Sequence, residues 1–280
     1  MAIAWGINPA MATAGVRKPA SIMPKTFRVG SVSFLNAKPL IHHLESDPRI
    51  DLRLAVPSML LDGLSAGRLD IALLPVIDYQ RLADARIVPS GGIGCDGPTL
   101  TVRIFSRKPI DQIEKLACDP DSHTSVALAR IILAECFSIC PQITELSRSG
   151  NDADAMLLIG DKVVTQEPRG FIHQLDLGEA WKTFTAMPFV FAVWTTRAGI
   201  DLADLPQRLS RARENGLGAL RDIVARHAAD HGWPENLAMK YLSENLKFDI
   251  GPAQLQAIRL FHDLAARHEI IPTSRPLILY

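Results

Sequence analysis

An excess of charge of either sign is missing from this chain: thirty lysine and arginine side chains face thirty aspartate and glutamate ones over 280 residues. No global field therefore recruits nucleic acid or an anionic membrane surface. Long apolar runs are missing as well, and no stretch approaches the roughly twenty residues that cross a bilayer. The four cysteines lack C-x-x-C spacing, and no paired histidine stands near Cys136 and Cys140 to complete a metal site. Neither a disulfide framework nor a metal centre is expected. Cys95, Cys118, Cys136 and Cys140 read as buried free thiols in a reducing compartment. Internal repeats and low-complexity tracts are absent.

What is present suits a folded protein. A hydrophobic content of 48% is ordinary for a globular chain, and the length allows one large domain or two lobes. Residues 1–26, rich in Ala, Met and Pro, contain Ala-Met-Ala-Thr-Ala at 10–14, but they have no basic start and no apolar run of leader length. They read as a disordered or mis-started N-terminal extension, and the protein is expected in the cytoplasm.

The stretch Gly30–Leu40 organises the rest. Phe27–Ser33 is short and alternating, a strand pattern, and Pro39 suits a helix start, because its fixed φ and missing N–H cost nothing there. Phe34–Lys38 then form a strand-to-helix loop with Asn36 at its centre. Asn36 is either a turn or capping residue or an amide placed to grip a small polar ligand. Asp51–Val56, a helix over Met59–Ala66 capped by Ser58, and the apolar run Leu69–Ile77 continue a doubly wound α/β pattern. Gly92, Gly94 and Gly97 satisfy G-x-G-x-x-G, but Pro98 and the β-branched Thr99–Ser106 follow where a dinucleotide site needs a helix. No nicotinamide or flavin cofactor is expected; these glycines would instead let backbone approach a ligand or turn sharply.

Further along, a helix over Asp111–Lys115 precedes a short strand at Leu116–Cys118. The hydroxyl-rich Ser122–Ser125 opens a periodic helix over Val126–Phe137. It is a cap, and its free N–H groups also make an anion site. Gln142–Leu146, Ala155–Ile159 and Phe189–Thr195 read as strands. Leu202–His227, Glu235–Ser243 and Pro252–Arg267 read as helices. The expected division is one lobe from 27–103 plus 195–280 and a second from 104–194, with a ligand cleft between them.

In order along the chain stand Ser33-Phe34-Leu35-Asn36-x-x-Pro39, Gly67-x-Leu69-Asp70-Ile71-Ala72, Gly94-Cys95-Asp96-Gly97-Pro98-x-x-Thr101, Thr124-Ser125-x-x-Leu128, Leu158-Ile159-Gly160-Asp161 and Pro188-Phe189-Val190-Phe191-Ala192-x-Trp194. Over roughly residues 27 to 265 this set resembles the chorismate dehydratase family of menaquinone biosynthesis. The resemblance implies a two-lobed α/β fold like that of type II periplasmic binding proteins, used as a cytoplasmic lyase without metal or organic cofactor. The implied reaction removes water from chorismate to give 3-[(1-carboxyvinyl)oxy]benzoate, a step of the futalosine route.

The resemblance also implies that Asn36 and Thr101 face the substrate, with threonine where the family often has serine. Ser33, Gly94, Gly97, Thr124, Ser125 and Gly160 are candidates for substrate binding. Asp96 is either an Asx-turn residue or a site acid, and Asp161 either a paired cap or a site acid. His42, His43 and His123 are given no role. The expected partner is a small molecule, not nucleic acid or membrane, and the oligomeric state is open. Two other readings remain: a non-catalytic small-carboxylate-binding protein of the same fold, and the related 1,4-dihydroxy-6-naphthoate synthase.

Overall fold

Alternation makes β1 (Phe27–Ser31) a strand, and burial makes it central: parallel partners β2 (Ile50–Leu54) and β3 (Ile71–Pro75) flank it. A computed structural model describes residues 25–119, 122–146, 153–166 and 168–280. The extension expected over 1–26 lies, apart from residues 25 and 26, outside them. The first sheet has six strands in the order β11-β4-β10-β3-β1-β2, where β4 is Ala85–Cys95, β10 Phe189–Arg197 and β11 Leu246–Lys247. The second has five in the order β7-β6-β8-β5-β9: Gln142–Glu145, Lys115–Cys118, Ala155–Ile159, Val102–Ser106 and His173–Asp176. Two sheets give the α/β molecule its two lobes.

The chain crosses between the sheets twice, over 96–101 and again over 177–188. Returning from the second sheet, β10 enters the first antiparallel to both β3 and β4. The doubly wound parallel layer expected from the apolar run of β3 is therefore a mixed sheet: β3 is parallel to β1 on one side and antiparallel to β10 on the other. Val102–Ser106 lies in the second sheet and the whole of β10 in the first.

Helices cover these sheets: α1 (Pro57–Ser65), α2 (His123–Phe137), α3 (Lys162–Thr165), α4 (Leu177–Thr185), α5 (Leu205–Gly218), α6 (Leu220–His227), α7 (Glu235–Lys240) and α8 (Pro252–Arg267). Gly251-Pro252 starts α8 as the sequence suggests, with Gln254 bonded back to the Gly251 N–H. The expected helix over Leu202–His227 is two, broken at Ala219. The one over Asp111–Lys115 is a 3₁₀ turn at Ile110–Gln112, and Lys115 already belongs to β6. Ser58 lies inside α1, whose N-cap is Val56.

Two corrections bear on function. The expected loop Phe34–Lys38 is mostly a 3₁₀ helix, Leu35–Ile41, in which Asn36 is the second residue. Pro39, without an N–H, can bond neither to the carbonyl of Leu35 nor to that of Asn36, and the segment closes through i→i−3 bonds such as Ala37 N–H to Phe34 O (3.1 Å). The glycine-rich Gly91–Cys95 belongs to strand β4, not to a turn. A Cβ at Gly92 or Gly94 would stand 2.5 Å from the carbonyl of Ala192 or Phe189, so these residues are glycine to let β10 approach. As for the thiols, Cys95 and Cys118 are buried and burial pushes each up to about 12, but Cys136 and Cys140 are exposed. Ser138 takes a left-handed conformation and ends α2, so Cys140 lies beyond the helix that carries Cys136.

Candidate active site

Between the two sheets the carboxyl ends of β1 and β3, the crossing segment before β5 and the start of α2 enclose a cleft of about 100 Å³. Each contribution has a local cause. The 3₁₀ helix carries Asn36 into the cleft and buries Leu35, Ala37 and Leu40 behind it. Thr101 follows Leu100, whose φ of +67° is a conformation that a leucine adopts only when held. Asp176 supplies the hold. Its carboxylate accepts the N–H groups of Thr99 (3.0 Å) and Leu100 (2.8 Å), and those of Gly178 and Glu179 at the start of α4. One buried carboxylate thus fixes the crossing segment and caps a helix.

Five residues proposed from the sequence line the cleft together: Asn36, Thr101, Thr124, Ser125 and Gly160. Thr124 and Ser125 are buried in the first turn of α2, where N–H groups have no intrahelical acceptor and the helix dipole is positive. The Thr124 hydroxyl also accepts the Ile77 N–H from the first lobe at 3.3 Å. Gly160 has φ +58°, open space around its Cα, and an N–H given to the carbonyl of Thr101 (2.8 Å).

The other five lie elsewhere. Ser33 is exposed one residue before the 3₁₀ N-cap. Gly94 packs on β10, and Gly97 is a turn glycine with φ +130°. Asp96 is exposed and paired with Lys182 at 2.6 Å. Asp161 is not among the lining residues; it accepts the indole N–H of Trp233 at 2.7 Å and lies 2.7 Å from Nδ1 of His231.

Two cleft residues went unnoticed in the sequence, and a third was given no role there. Tyr241 is fully buried, its hydroxyl 2.7 Å from that of Thr101, its ring stacked on Trp233 at 4.8 Å. Burial pushes its phenol well above the usual range, while the neighbouring Thr101 and Asn36 side chains pull the other way. It sits in a π-helical turn, Tyr241–Asn245, just after α7. Helical spacing of Ala238, Tyr241 and Leu242 signals a buried ring whose hydroxyl needs a partner, but not which partner. Thr99 is the second, and His123 the third, with Nδ1 2.8 Å from the wholly buried Asp78 carboxylate.

Among the described residues, no lysine or arginine lines the cleft. Three of its polar atoms, Asn36 Oδ1, Thr99 Oγ1 and Ser122 Oγ, are buried without a hydrogen-bond partner. Such atoms cost free energy, roughly 1–3 kcal/mol each, unless a ligand meets them. A larger hollow of about 880 Å³ lies on the other side of His123, against Arg81, Arg130 and Arg275. It gathers none of the residues proposed from the sequence and none of the orphaned atoms. Size notwithstanding, the smaller cleft carries the chemistry. Neutral donors, an amide and a helix start can orient a small anion but make no strong acid or base.

A family model described as menaquinone biosynthesis matches residues 27–267. A chorismate dehydratase of Thermus thermophilus is 28% identical over 240 residues, 78% of this chain and 88% of that protein. Among solved structures, a protein from Archaeoglobus fulgidus superposes with a TM-score of 0.69 at 15% identity, covering 88% of this chain and 98% of its own. The periplasmic aliphatic sulphonate binding protein of Escherichia coli does so at 0.65 and 15%, covering 90% and 95%. At such identities these structures show the fold alone, that of periplasmic binding proteins.

Proposed function

The chain belongs to the menaquinone-biosynthesis family, and from that premise we propose that it is a chorismate dehydratase, a lyase acting on a small molecule in the cytoplasm. Water leaves chorismate to give 3-[(1-carboxyvinyl)oxy]benzoate. The C3–H bond breaks, its electron pair becomes the new ring double bond, the C4–O bond breaks, and proton and hydroxide depart as water. The ring becomes aromatic, so the task is to favour this elimination over rearrangement, and positioning supplies much of the rate. Asn36 hydrogen-bonds the substrate near C3–C4 and orients the departing hydroxyl. Thr101 holds the enolpyruvyl carboxylate, which itself takes the C3 proton, since a neutral amide is a poor base. Thr124, Ser125 and the N–H groups at the start of α2 hold a carboxylate from the opposite lobe.

The observation that carries this reading is the meeting of Asn36, Thr101, Thr124, Ser125 and Gly160 in a cleft without charged side chains from lysine or arginine. The test is incubation of the purified protein with chorismate, following loss of the diene absorbance and identifying the product by mass. The expected result is a product lighter by one water, lost in Asn36→Ala and strongly reduced in Thr101→Ala. Binding of chorismate without turnover would make the protein a carboxylate-binding relative instead.

A further inference from the structure

Tyr241 meets Thr101, one of the two residues assigned to the substrate, and the chemistry of the two hydroxyls gives their bond a direction. The oxygens are 2.7 Å apart. A phenol is more acidic than an aliphatic hydroxyl and the weaker acceptor, so its single proton goes to Thr101 Oγ1. In the same cleft Asn36 Oδ1 is buried with no partner and remains an acceptor. Thr101, having accepted that bond, has its own proton free to turn into the cleft. The phenol keeps its proton because burial disfavours the phenolate.

Two features hold the hydroxyl in place. The ring is clamped by its stack on Trp233 (4.8 Å, 18° between planes), and Trp233 is fixed by its bond to Asp161. The backbone at Tyr241 is a π-helical turn, an insertion that often appears where a side chain must be re-aimed at a site.

We propose that Tyr241 is the positioning residue of this site: its hydroxyl donates to Thr101, leaving the Thr101 O–H as a donor facing the substrate beside the unpartnered Asn36 Oδ1, an acceptor. The polarity matches the two groups to be held. An acceptor suits the C4 hydroxyl of chorismate, and a donor suits its enolpyruvyl carboxylate. Without the phenol the threonine proton can point away, so the hydroxyl meets the substrate carboxylate in the wrong sense part of the time. This inference rests on the dehydratase reading above.

The experiment is a double-mutant cycle on chorismate turnover with Tyr241→Phe, which removes one oxygen and keeps the stacked ring. The expected result is a kcat about 10- to 100-fold lower with KM within about threefold, and a melting temperature within a few degrees of wild type. Thr101→Ser, which keeps the hydroxyl, retains most of the activity. Adding Tyr241→Phe to Thr101→Ala costs no more than about threefold further, because the relay is already broken. Should Tyr241→Phe misfold, the pair Thr101→Ser against Thr101→Val reads the same hydroxyl from its other end, and equal kcat values there overturn the proposal. Wild-type kcat in Tyr241→Phe, or fully additive losses in the cycle, likewise overturn it while leaving the dehydratase reading intact. A wild-type protein that does not turn over chorismate overturns that reading, and this inference with it.

Discussion

A single carboxylate, Asp176, sets the position of Thr101 in the cleft. Its four backbone N–H partners lie on both crossing segments, and Arg103 Nε stands 3.5 Å from it. A left-handed leucine costs roughly 1–3 kcal/mol, and the bonds to Thr99 and Leu100 offset that cost. Asp176→Ala is expected to destabilise the protein by about 2–4 kcal/mol and to lower kcat by about tenfold or more, since Thr101 follows the released turn. Urea unfolding and steady-state kinetics check both; loss of stability with unchanged kcat would show that the turn holds its shape without the carboxylate. At this scale the sequence was informative where a residue's role is local. Asn36 and Thr101 are legible beside their motif neighbours, and Gly97 is legible as a turn glycine. Asp176 and Tyr241 are not, since each acts on partners about 75 and 140 positions away in the chain, and no spacing encodes that. Asp96 shows the converse: a conspicuous acid in a glycine-rich turn that only meets a surface lysine.

Elements whose stability is local were legible, namely β1, β3, α8 and the apolar part of α2. Elements set by their neighbours were not. The 3₁₀ helix bearing Asn36 is shaped by Pro39 from within and by α5 from outside, because Gly216 packs directly on the Pro39 carbonyl. A Cβ there would lie 2.1 Å from that oxygen, and backbone on both sides leaves nothing flexible to move. Gly216→Ala is expected to cost roughly 1–3 kcal/mol by overpacking and to lower kcat through displacement of Asn36. Thermal unfolding and turnover measure the two, and a variant with wild-type kcat would mean that Asn36 does not ride on this contact. The C-terminal helix α8 is tied to the segment Val76–Arg81 by His262. Gln80 clamps the backbone of Arg275 through both ends of its amide (3.1 and 3.0 Å), which fixes its NH₂ as the donor to His262 Nδ1 (2.8 Å); His262 Nε2 gives its proton to the Val76 carbonyl (2.9 Å). Protonating Nδ1 would set two donors face to face inside a buried site, and burial lowers the imidazole from 6.5 to about 4. With the folded value below the unfolded one, the unfolded chain binds the proton first. The stabilisation is whole above about pH 6.5 and is lost as pH falls toward 4. Between about pH 7.5 and pH 5 this group should cost roughly 2 kcal/mol of stability. His262→Asn should show a correspondingly shallower fall in urea midpoints over that range; parallel curves would place the acid sensitivity elsewhere.

The two lobes meet through polar contacts that no one lobe contains. Asp161, at the end of β8 in the second lobe, holds Trp233 and His231 of the C-terminal segment; Asp78 beside the first sheet pairs with His123 on α2; Glu135 on α2 pairs with His268 after α8. Ligand pockets commonly enclose about 300–1,000 Å³, and this cleft, at about 100 Å³, must widen before a ten-carbon acid can enter. Contacts between the lobes therefore have to yield for the cleft to open. Asp161 is the one to remove, because it lies outside the cleft lining and supports both partners at once. In Asp161→Ala the Trp233 N–H loses its acceptor, at a cost of about 1–3 kcal/mol to the closed arrangement. The free protein should then sample open forms more often. The expected outcome is a larger radius of gyration by small-angle scattering without ligand and a KM for chorismate raised by about three- to tenfold. Saturating ligand should restore the compact form. kcat should fall less than KM rises, since the closed state once reached is assembled from the same residues, although Trp233 also backs Tyr241 and some loss is expected. If the scattering profile and KM of Asp161→Ala both match wild type, the lobes are held by their packed faces and Asp161 serves only to anchor Trp233.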